Sequence, residues 1–396
     1  MILFPNKSQC CNCNGCAQIC PKDAISKDVT DSGFIYPTID NEKCIDCGLC
    51  QKVCAYQHIE EHNHPLEVYA AAAINSDIKQ NSSSGGIFAV LAKKILQMNG
   101  IVYGAVMERN NDKFEIYHKG INDISNLKQL QGSKYVQSEI RNCYQEIKTY
   151  LSQGKIVLFS GVPCQCAGLK GFLRKNYDNL YIVDIICHGV PSQKFFNDYI
   201  DYKFHKLSDI HNFSFRDKSN GWELRARIDY NNNRHKFIPT GTSSFYSLFL
   251  DSQIYRENCY SCKYASEHRP GDITIGDYWG IEKEHPDSLS KLNLQEGVSC
   301  IIVNNETGRY ILSLIHDLIT TIPSSYSKVA NRNAQLLTPS HKGKYHDDIL
   351  NLYQNHGYAA VETFFKKHYI KQRFIHKILS LLPYPIKTFL RSLKNK

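Results

Sequence analysis

The chain has 396 residues, 42% of them hydrophobic, with 16 cysteines and a formal net charge of +9 at pH 7; that length predicts two or three domains. All of the excess charge lies behind Glu362, where nine Lys and Arg occur without an acid, so residues 1–362 balance and no nucleic-acid-binding surface is expected. No apolar run reaches the length of about 18 residues that a membrane-spanning helix needs, and closely spaced thiols without a secretory leader predict a reducing, cytoplasmic location.

The first elements are two copies of C-x2-C-x2-C-x3-C: Cys10, Cys13, Cys16 and Cys20, followed by Pro21, then Cys44, Cys47, Cys50 and Cys54. Such a run lets a tight loop present three thiolates to one iron–sulfur cube, while the fourth reaches the neighbouring cube. By that exchange, one 4Fe-4S cluster takes Cys10, Cys13, Cys16 and Cys54, and a second takes Cys44, Cys47, Cys50 and Cys20. Cys11 is left over. Structural zinc sites supply ligands as separated C-x2-C pairs, which argues against zinc here. Between the runs, Ala24 to Ser26 and Phe34 to Ile39 predict a hairpin turning near Asp31-Ser32-Gly33. Residues 1–60 thus read as a ferredoxin-type domain, and 57–67, with His58, His62 and His64, as a solvated linker.

Beyond the linker, Val68 to Ile74 predicts a buried strand, Asn81 to Gly86 a polar turn, and the residues through Leu96 an amphipathic helix. A helix N-terminus behind small residues offers free amides to a phosphate, although the same residues also serve as a simple cap. Ile101 to Val106 predicts another strand, and Ile140, Cys143, Ile147 and Leu151 recur at helical spacing. Lys155 to Ser160, Gln165 to Lys175 and Leu180 to Ile186 then form a βαβ unit, whose right-handed crossover makes its strands parallel and brings their carboxyl ends to one sheet edge. Cys164 and Cys187 stand just past those ends, and Cys259 and Cys262 form a further C-x2-C. Those four thiols admit three readings: a third cluster, a zinc site, or unrelated thiols. Cys164 is preferred over Cys166 because it lies nearer the strand end. Cys300 reads as a core strand residue.

From about Val68 to Asn304 the sequence resembles the coenzyme F420 hydrogenase/dehydrogenase beta subunit family, here with a ferredoxin-type domain in front. The resemblance is carried by Ser82-Ser83-Ser84-Gly85-Gly86, Gly132-Ser133-Lys134-Tyr135-Val136-Gln137-Ser138, Phe159-Ser160-Gly161-Val162-Pro163-Cys164-Gln165, Cys187-His188-Gly189-Val190-Pro191-Ser192, Phe215-Arg216-Asp217-Lys218, the Cys259 and Cys262 pair, and Gly276-Asp277-Tyr278-Trp279-Gly280. It implies one FAD and a third 4Fe-4S cluster held by Cys164, Cys187, Cys259 and Cys262. It further implies that Ser84, Gly85 and Gly86 approach the FAD pyrophosphate and that Ser133, Lys134, Tyr135 and Gln137 lie near the flavin. Lys134 and His188 are the candidate catalytic residues.

The expected fold is a small α+β ferredoxin-like domain, then a larger α/β flavin and iron–sulfur body spanning 68–150 and 151–325, then a helical, basic amphipathic tail over 340–396. The expected function is an oxidoreductase linking a ferredoxin-like redox partner to a small-molecule substrate. The alternative is an electron-transfer subunit without a substrate of its own. In the tail, Ile370, Phe374, Ile378 and Leu381 share one face, with Gln372, Arg373, His376 and Lys377 opposite and Lys371 as the exception. Pro383 and Pro385 are expected to break the helix before Ile386, Phe389, Leu390 and Leu393 repeat the pattern. At about 1 kcal/mol per basic residue near an anionic surface, this tail suits either a peripheral membrane contact or docking on protein.

Overall fold

The computed structural model describes residues 3–57, 64–204, 209–380, 382 and 386. His58 and His62 of the linker, and Leu381, Pro383, Pro385, Phe389, Leu390 and Leu393 of the tail, lie outside them. The N-terminal hairpin pairs β1 (Ile25–Val29) with β2 (Ile35–Ile39), antiparallel. Gly33 sits in its turn at φ +81°, a conformation that costs glycine little.

The body is built on β3 (Glu67–Ala73), β4 (Ile101–Asn110), β5 (Lys113–Ile121), β6 (Val157–Gly161), β7 (Leu180–Ile185), β11 (Ile273–Asp277), β12 (Ser299–Val303) and β13 (Ile319–Pro323). They form one sheet in the order β13-β3-β12-β11-β7-β6-β4-β5. The strands β8 (Ile210–Ser214), β9 (Arg225–Tyr230) and β10 (His235–Pro239) make a separate antiparallel sheet. In the large sheet β11, β7, β6 and β4 are mutually parallel, as the crossover rule requires, while β12 separates β11 from β3 by two antiparallel pairings. It follows that β3 runs the same way as the parallel four. The Ser82–Gly86 turn, Cys164, Cys187 and Asp277 therefore all emerge at one edge.

Alternation along the strands divides the core. Leu158 and Val183 face the helix Ile87–Gln97, whereas Val157, Phe159 and Ile182 face the helices Cys143–Ser152 and Pro163–Leu173. Ile87, Leu91 and Ile95 recur at helical period and are each 1% exposed, so each contributes about 1.5–3 kcal/mol. Cys143 and Cys300 are buried, and desolvation pushes both thiols up to about 12. Between strand and turn the chain inserts a short helix, Ser76–Gln80, capped by the Asn75 side chain.

The segment expected to be a helical appendage is instead part of the body. Ile349, Tyr353, Tyr358, Val361 and Phe365 of the helix His346–His368 are buried in an aromatic core with Phe195, Tyr199 and Phe245. Gly357, at φ +70° and ψ −173°, breaks the helical backbone and re-aims its second half. Aromatic residues at irregular spacing on both sides of that kink left a weak periodic signal.

Candidate functional site

Three groups of thiols follow one another through the molecule. Cys20, Cys44, Cys47 and Cys50 line a small pocket below the hairpin, and Cys47 is exposed. Cys10, Cys13, Cys16 and Cys54 form the next group. Burial first, and then the proximity of the other thiols, pushes Cys16 and Cys54 up from the ordinary cysteine value. Cys164, Cys187, Cys259 and Cys262 form the third. For Cys164 a hydrogen bond from Cys11 lowers the pKa, but burial and the three companion thiols raise it, to about 11. Cys187 is raised by burial and then by Cys262, to about 12.

Four half-buried thiols held this closely are neutral on their own, since ionising several of them together would place like charges side by side in a poorly solvated site. A cationic cofactor reverses that balance, because ligation removes the thiol protons. The donor set therefore fits a metal cluster. Cys166 lies apart, buried beneath the sheet edge with its thiol directed at the Gly161 carbonyl.

Short side chains let the second and third groups approach. In the helix Pro163–Leu173, a Cβ added at Gly168 would stand 2.7 Å from Cys13 Cβ, and one at Gly171 would stand 2.5 Å from the Val53 carbonyl oxygen. Cys11, Ala55, Tyr56, Ala167 and Tyr264 fill the space between the groups. The Cys11 thiol is within hydrogen-bonding reach of both Cys13 and Cys164. The two loops are cross-tied: Tyr56 Oη donates to the Ser261 carbonyl at 2.9 Å and Tyr264 Oη to the Ala55 carbonyl at 2.8 Å.

Arg256 is fully buried at the same junction. Its Nε donates to the Cys10 carbonyl at 2.8 Å and its Nη1 to the Ile35 carbonyl at 2.9 Å, with the Tyr36 ring 3.9 Å from the guanidinium. Sequence reasoning missed Cys11, Gly168, Gly171 and Arg256. The one available signal was the run of small residues Ala167, Gly168 and Gly171 on a helix face.

The third group opens onto a cavity of about 400 Å³. Cys11, Cys164, Cys187, Cys259 and Cys262 line one part of its wall, and Ser82, Ser83, Ser84, Gly86 and Ile87 line another. Gly86, at φ +89°, forms the N-cap of the helix Ile87–Gln97, and Gly86, Ile87 and Phe88 at the head of that helix line the cavity. Ser83 Oγ accepts from the Ser133 amide at 2.7 Å, which closes the 132–138 segment onto this turn. Gly85 lies beneath the lining: a Cβ there would stand 2.5 Å from the Ala71 carbonyl oxygen and 2.8 Å from the Ser299 amide. Its function is close packing under the turn. Small residues, a positive-φ glycine and a helix N-terminus make a cradle that fits a pyrophosphate.

Ser133, Lys134, Tyr135 and Gln137 all line the cavity. Lys134 Nζ donates to the Gln131 carbonyl at 2.9 Å and the Gln129 carbonyl at 3.1 Å, and desolvation lowers its pKa to about 7. Tyr135 stacks on Phe249 at 5.0 Å. Gln137 Nε2 donates to the Cys11 carbonyl at 3.0 Å, so this side chain is engaged in holding the cysteine loop. His188 also lines the cavity, and its carbonyl accepts from Ser340 Oγ at 2.6 Å. On another wall Asp277 and Trp279 are backed by Arg216, which pairs with Asp277 at 2.5 Å, and Trp222 stacks on Trp279 at 4.6 Å.

His118, 2% exposed, reaches the cavity from below. Its Nε2–H donates to the Ser160 carbonyl at 3.0 Å, and Nδ1 accepts from Ser138 Oγ at 3.1 Å, a pairing that fixes the neutral tautomer. Burial lowers its pKa to about 4. Between that value and the unfolded value of about 6.5, the unfolded chain binds a proton that the folded chain does not. Stability therefore falls as pH drops through this window, by up to about 3 kcal/mol. We expect His118→Gln to flatten the fall of the thermal midpoint between pH 6.5 and pH 5. An unchanged slope would assign the acid sensitivity elsewhere.

Family models match three consecutive stretches of the chain. The model for the 4Fe-4S dicluster domain matches residues 9–58. The model for the N-terminal part of the coenzyme F420 hydrogenase/dehydrogenase beta subunit matches 68–143, and the model for its C-terminal part matches 154–323. No curated protein matches the chain significantly. Among solved structures, the chain is similar to one from the xenon-derivatised F420-reducing [NiFe] hydrogenase complex of Methanosarcina barkeri, at 14% identity and a TM-score of 0.45, covering 78% of this chain and 95% of that one. With three consecutive family matches spread over most of its length, the protein belongs to the coenzyme F420 hydrogenase/dehydrogenase beta subunit family and carries a 4Fe-4S dicluster domain at its front.

Proposed function

We propose that this iron–sulfur protein is a flavin-dependent oxidoreductase. Electrons pass between a ferredoxin-type partner and a hydride-accepting small molecule, in either direction, by way of three 4Fe-4S clusters and FAD. The observation that carries this reading is the convergence of Cys164, Cys187, Cys259 and Cys262 on a cavity whose wall also includes the Ser82–Gly86 turn. Bound FAD would supply the conversion between single electrons and electron pairs, which iron–sulfur cubes cannot perform alone.

The placement of the chain's own residues supports the following order. Cys20, Cys44, Cys47 and Cys50 hold the outermost cluster, where exposed Cys47 is accessible to a partner protein. Cys10, Cys13, Cys16 and Cys54 hold the middle one. Cys164, Cys187, Cys259 and Cys262 hold the innermost, across a contact only a few side chains thick. Ser84 and Gly86 bind the pyrophosphate with the amides at the head of the helix Ile87–Gln97, while Gly85 lets the turn sit against β3 and β12. Lys134 Nζ, with its lowered pKa, can hold or release a proton near neutral pH, and His188, whose pKa burial lowers from the ordinary imidazole value, lines the same cavity from the cysteine side. Tyr135 and Trp279 offer flat apolar walls.

The second reading is an electron-transfer subunit that hands its electrons to a separate catalytic partner, as the family's hydrogenase and dehydrogenase beta subunits suggest. The dicluster domain packed against the body favours the first, since the wire from the partner is already part of the chain. Anaerobic purification with iron and flavin quantification tests the proposal. Three cubes predict about twelve irons per chain, together with one FAD. A preparation containing about eight irons, or no flavin after reconstitution, would overturn it.

A further inference from the structure

The helix Ile370–Ser380 is docked with its polar side inward. Its half-buried residues are Gln372, Arg373, His376 and Leu379. The His376 ring packs so closely on Gly241 that a Cβ at the glycine would overlap it. The Arg373 guanidinium lies 5.6 Å from the Phe365 ring and donates to the Lys366 carbonyl at 3.4 Å. The apolar side is turned outward: Ile370 is 64% exposed, Phe374 66%, Ile375 37% and Ile378 47%, and Ile386 just beyond is 46% exposed. Docking on the body was one sequence-based expectation, and it predicts the reverse orientation, with the isoleucines and Phe374 buried.

A contiguous apolar strip turned to water forgoes the burial that drives helix docking, unless another phase covers it. The charge around the strip indicates which phase. Lys371 and Lys377 flank it on the exposed side, and the neighbouring β9–β10 hairpin presents Arg234 in its turn and Lys236 near the start of β10, both exposed. Nine Lys and Arg follow Glu362 with no acid among them. A second copy of the chain would bring two such positive surfaces face to face, and like charges opposed across an interface are unfavourable. An anionic surface meets no such repulsion. No helix among the described residues is long and apolar enough to cross a membrane, and this one is suited to lie in the plane of the interface.

We propose that this face is a peripheral membrane contact taking an anionic phospholipid bilayer, with Ile370, Phe374, Ile375 and Ile378 at the headgroup–acyl boundary and Lys371 and Lys377 among the phosphates. Long lysine side chains can lay their methylenes on the apolar strip while the ammonium groups stay at headgroup level. The body, carried on the inward side of the helix, would then be held against the membrane with its clusters intact. This inference stands apart from the redox reading and does not depend on it.

Co-sedimentation of the full-length holoprotein with vesicles tests it. The expected result is binding to vesicles rich in phosphatidylglycerol, little binding to pure phosphatidylcholine, and release by high salt. The triple variant Ile370→Ser, Phe374→Ser, Ile378→Ser should lower the affinity for anionic vesicles by at least about tenfold. Its iron content and thermal midpoint should be unchanged, because the replaced side chains face outward. A second variant, Lys371→Glu with Lys377→Glu, should remove the preference for anionic over neutral vesicles. Wild-type affinity in the triple variant would overturn the proposal, as would absence of vesicle binding by the wild type. A concentration-dependent dimer that disappears in the triple variant, without vesicle binding, would assign the face to a second copy instead.

Discussion

The double variant Cys259→Ser, Cys262→Ser is expected to lose four of about twelve irons per chain, the content of one cube, while the two N-terminal clusters remain. The reason is geometric. Cys259 and Cys262 supply half of the third group's donors from one short turn, Glu257–Ser261 and the residue after it, and Cys164 and Cys187 alone cannot complete a cube's ligation. The loss should be visible as a fall in iron and sulfide with retained N-terminal cluster signals by electron paramagnetic resonance. On the proposed function, reduction of FAD through the clusters should stop, because the innermost proposed carrier would be gone. Cys166→Ser and Cys300→Ser serve as controls and should keep all the iron, since both thiols are buried and directed at backbone carbonyls, of Gly161 and Asp277. Full iron content in the double variant would remove the third site from the proposed path.

The largest stability effect is expected at Arg269, which with Asp184 forms an ion pair that is 1% and 0% exposed at the two side chains. Arg269 Nη2 donates to Asp184 Oδ1 at 2.6 Å and Nε to the same oxygen at 3.1 Å, while Nη1 donates to the Tyr264 carbonyl at 2.7 Å. Asp184 Oδ2 accepts from the Gly271 amide at 2.8 Å. The pair thus ties the loop after Cys262 to the end of β7, just before Cys187. Arg269→Leu leaves the carboxylate buried without its counter-charge and should cost about 3–5 kcal/mol. A lowered thermal midpoint and weaker retention of the third cluster on dilution would both register it. Replacing both partners, Arg269→Leu with Asp184→Leu, should recover part of the midpoint because no unpaired charge remains. A single variant as stable as the wild type would show that water reaches Asp184.

Both effects concern features that differ in how far the sequence reveals them. The C-x2-C spacing of Cys259 and Cys262 is visible in the chain, as is the position of Cys187 at a strand end. The Arg269–Asp184 pair is not. Its partners are 85 residues apart, and neither an isolated arginine in a polar loop nor an aspartate within an apolar strand indicates the other. The same holds for Arg256, whose contacts with Cys10 and Ile35 cross more than half the chain. Tyr135 was legible through its motif, yet its stacking on Phe249 was not.

What the sequence determined by itself was local and periodic. Covalent spacing set which thiols one loop can present, alternation and helical period set the βαβ unit, and glycine and serine marked the turn before the helix Ile87–Gln97. Only the tertiary structure decided that three thiol groups stand in series, that Cys11 fills the junction between two of them, and that Gly168 and Gly171 let the dicluster domain approach the body. It also decided that the last helix turns its apolar side outward, because helical period defines two faces without specifying which one meets the protein. Close approach, burial of an ion pair and choice of face depend on the shape of a distant surface, and a linear pattern carries no record of that shape.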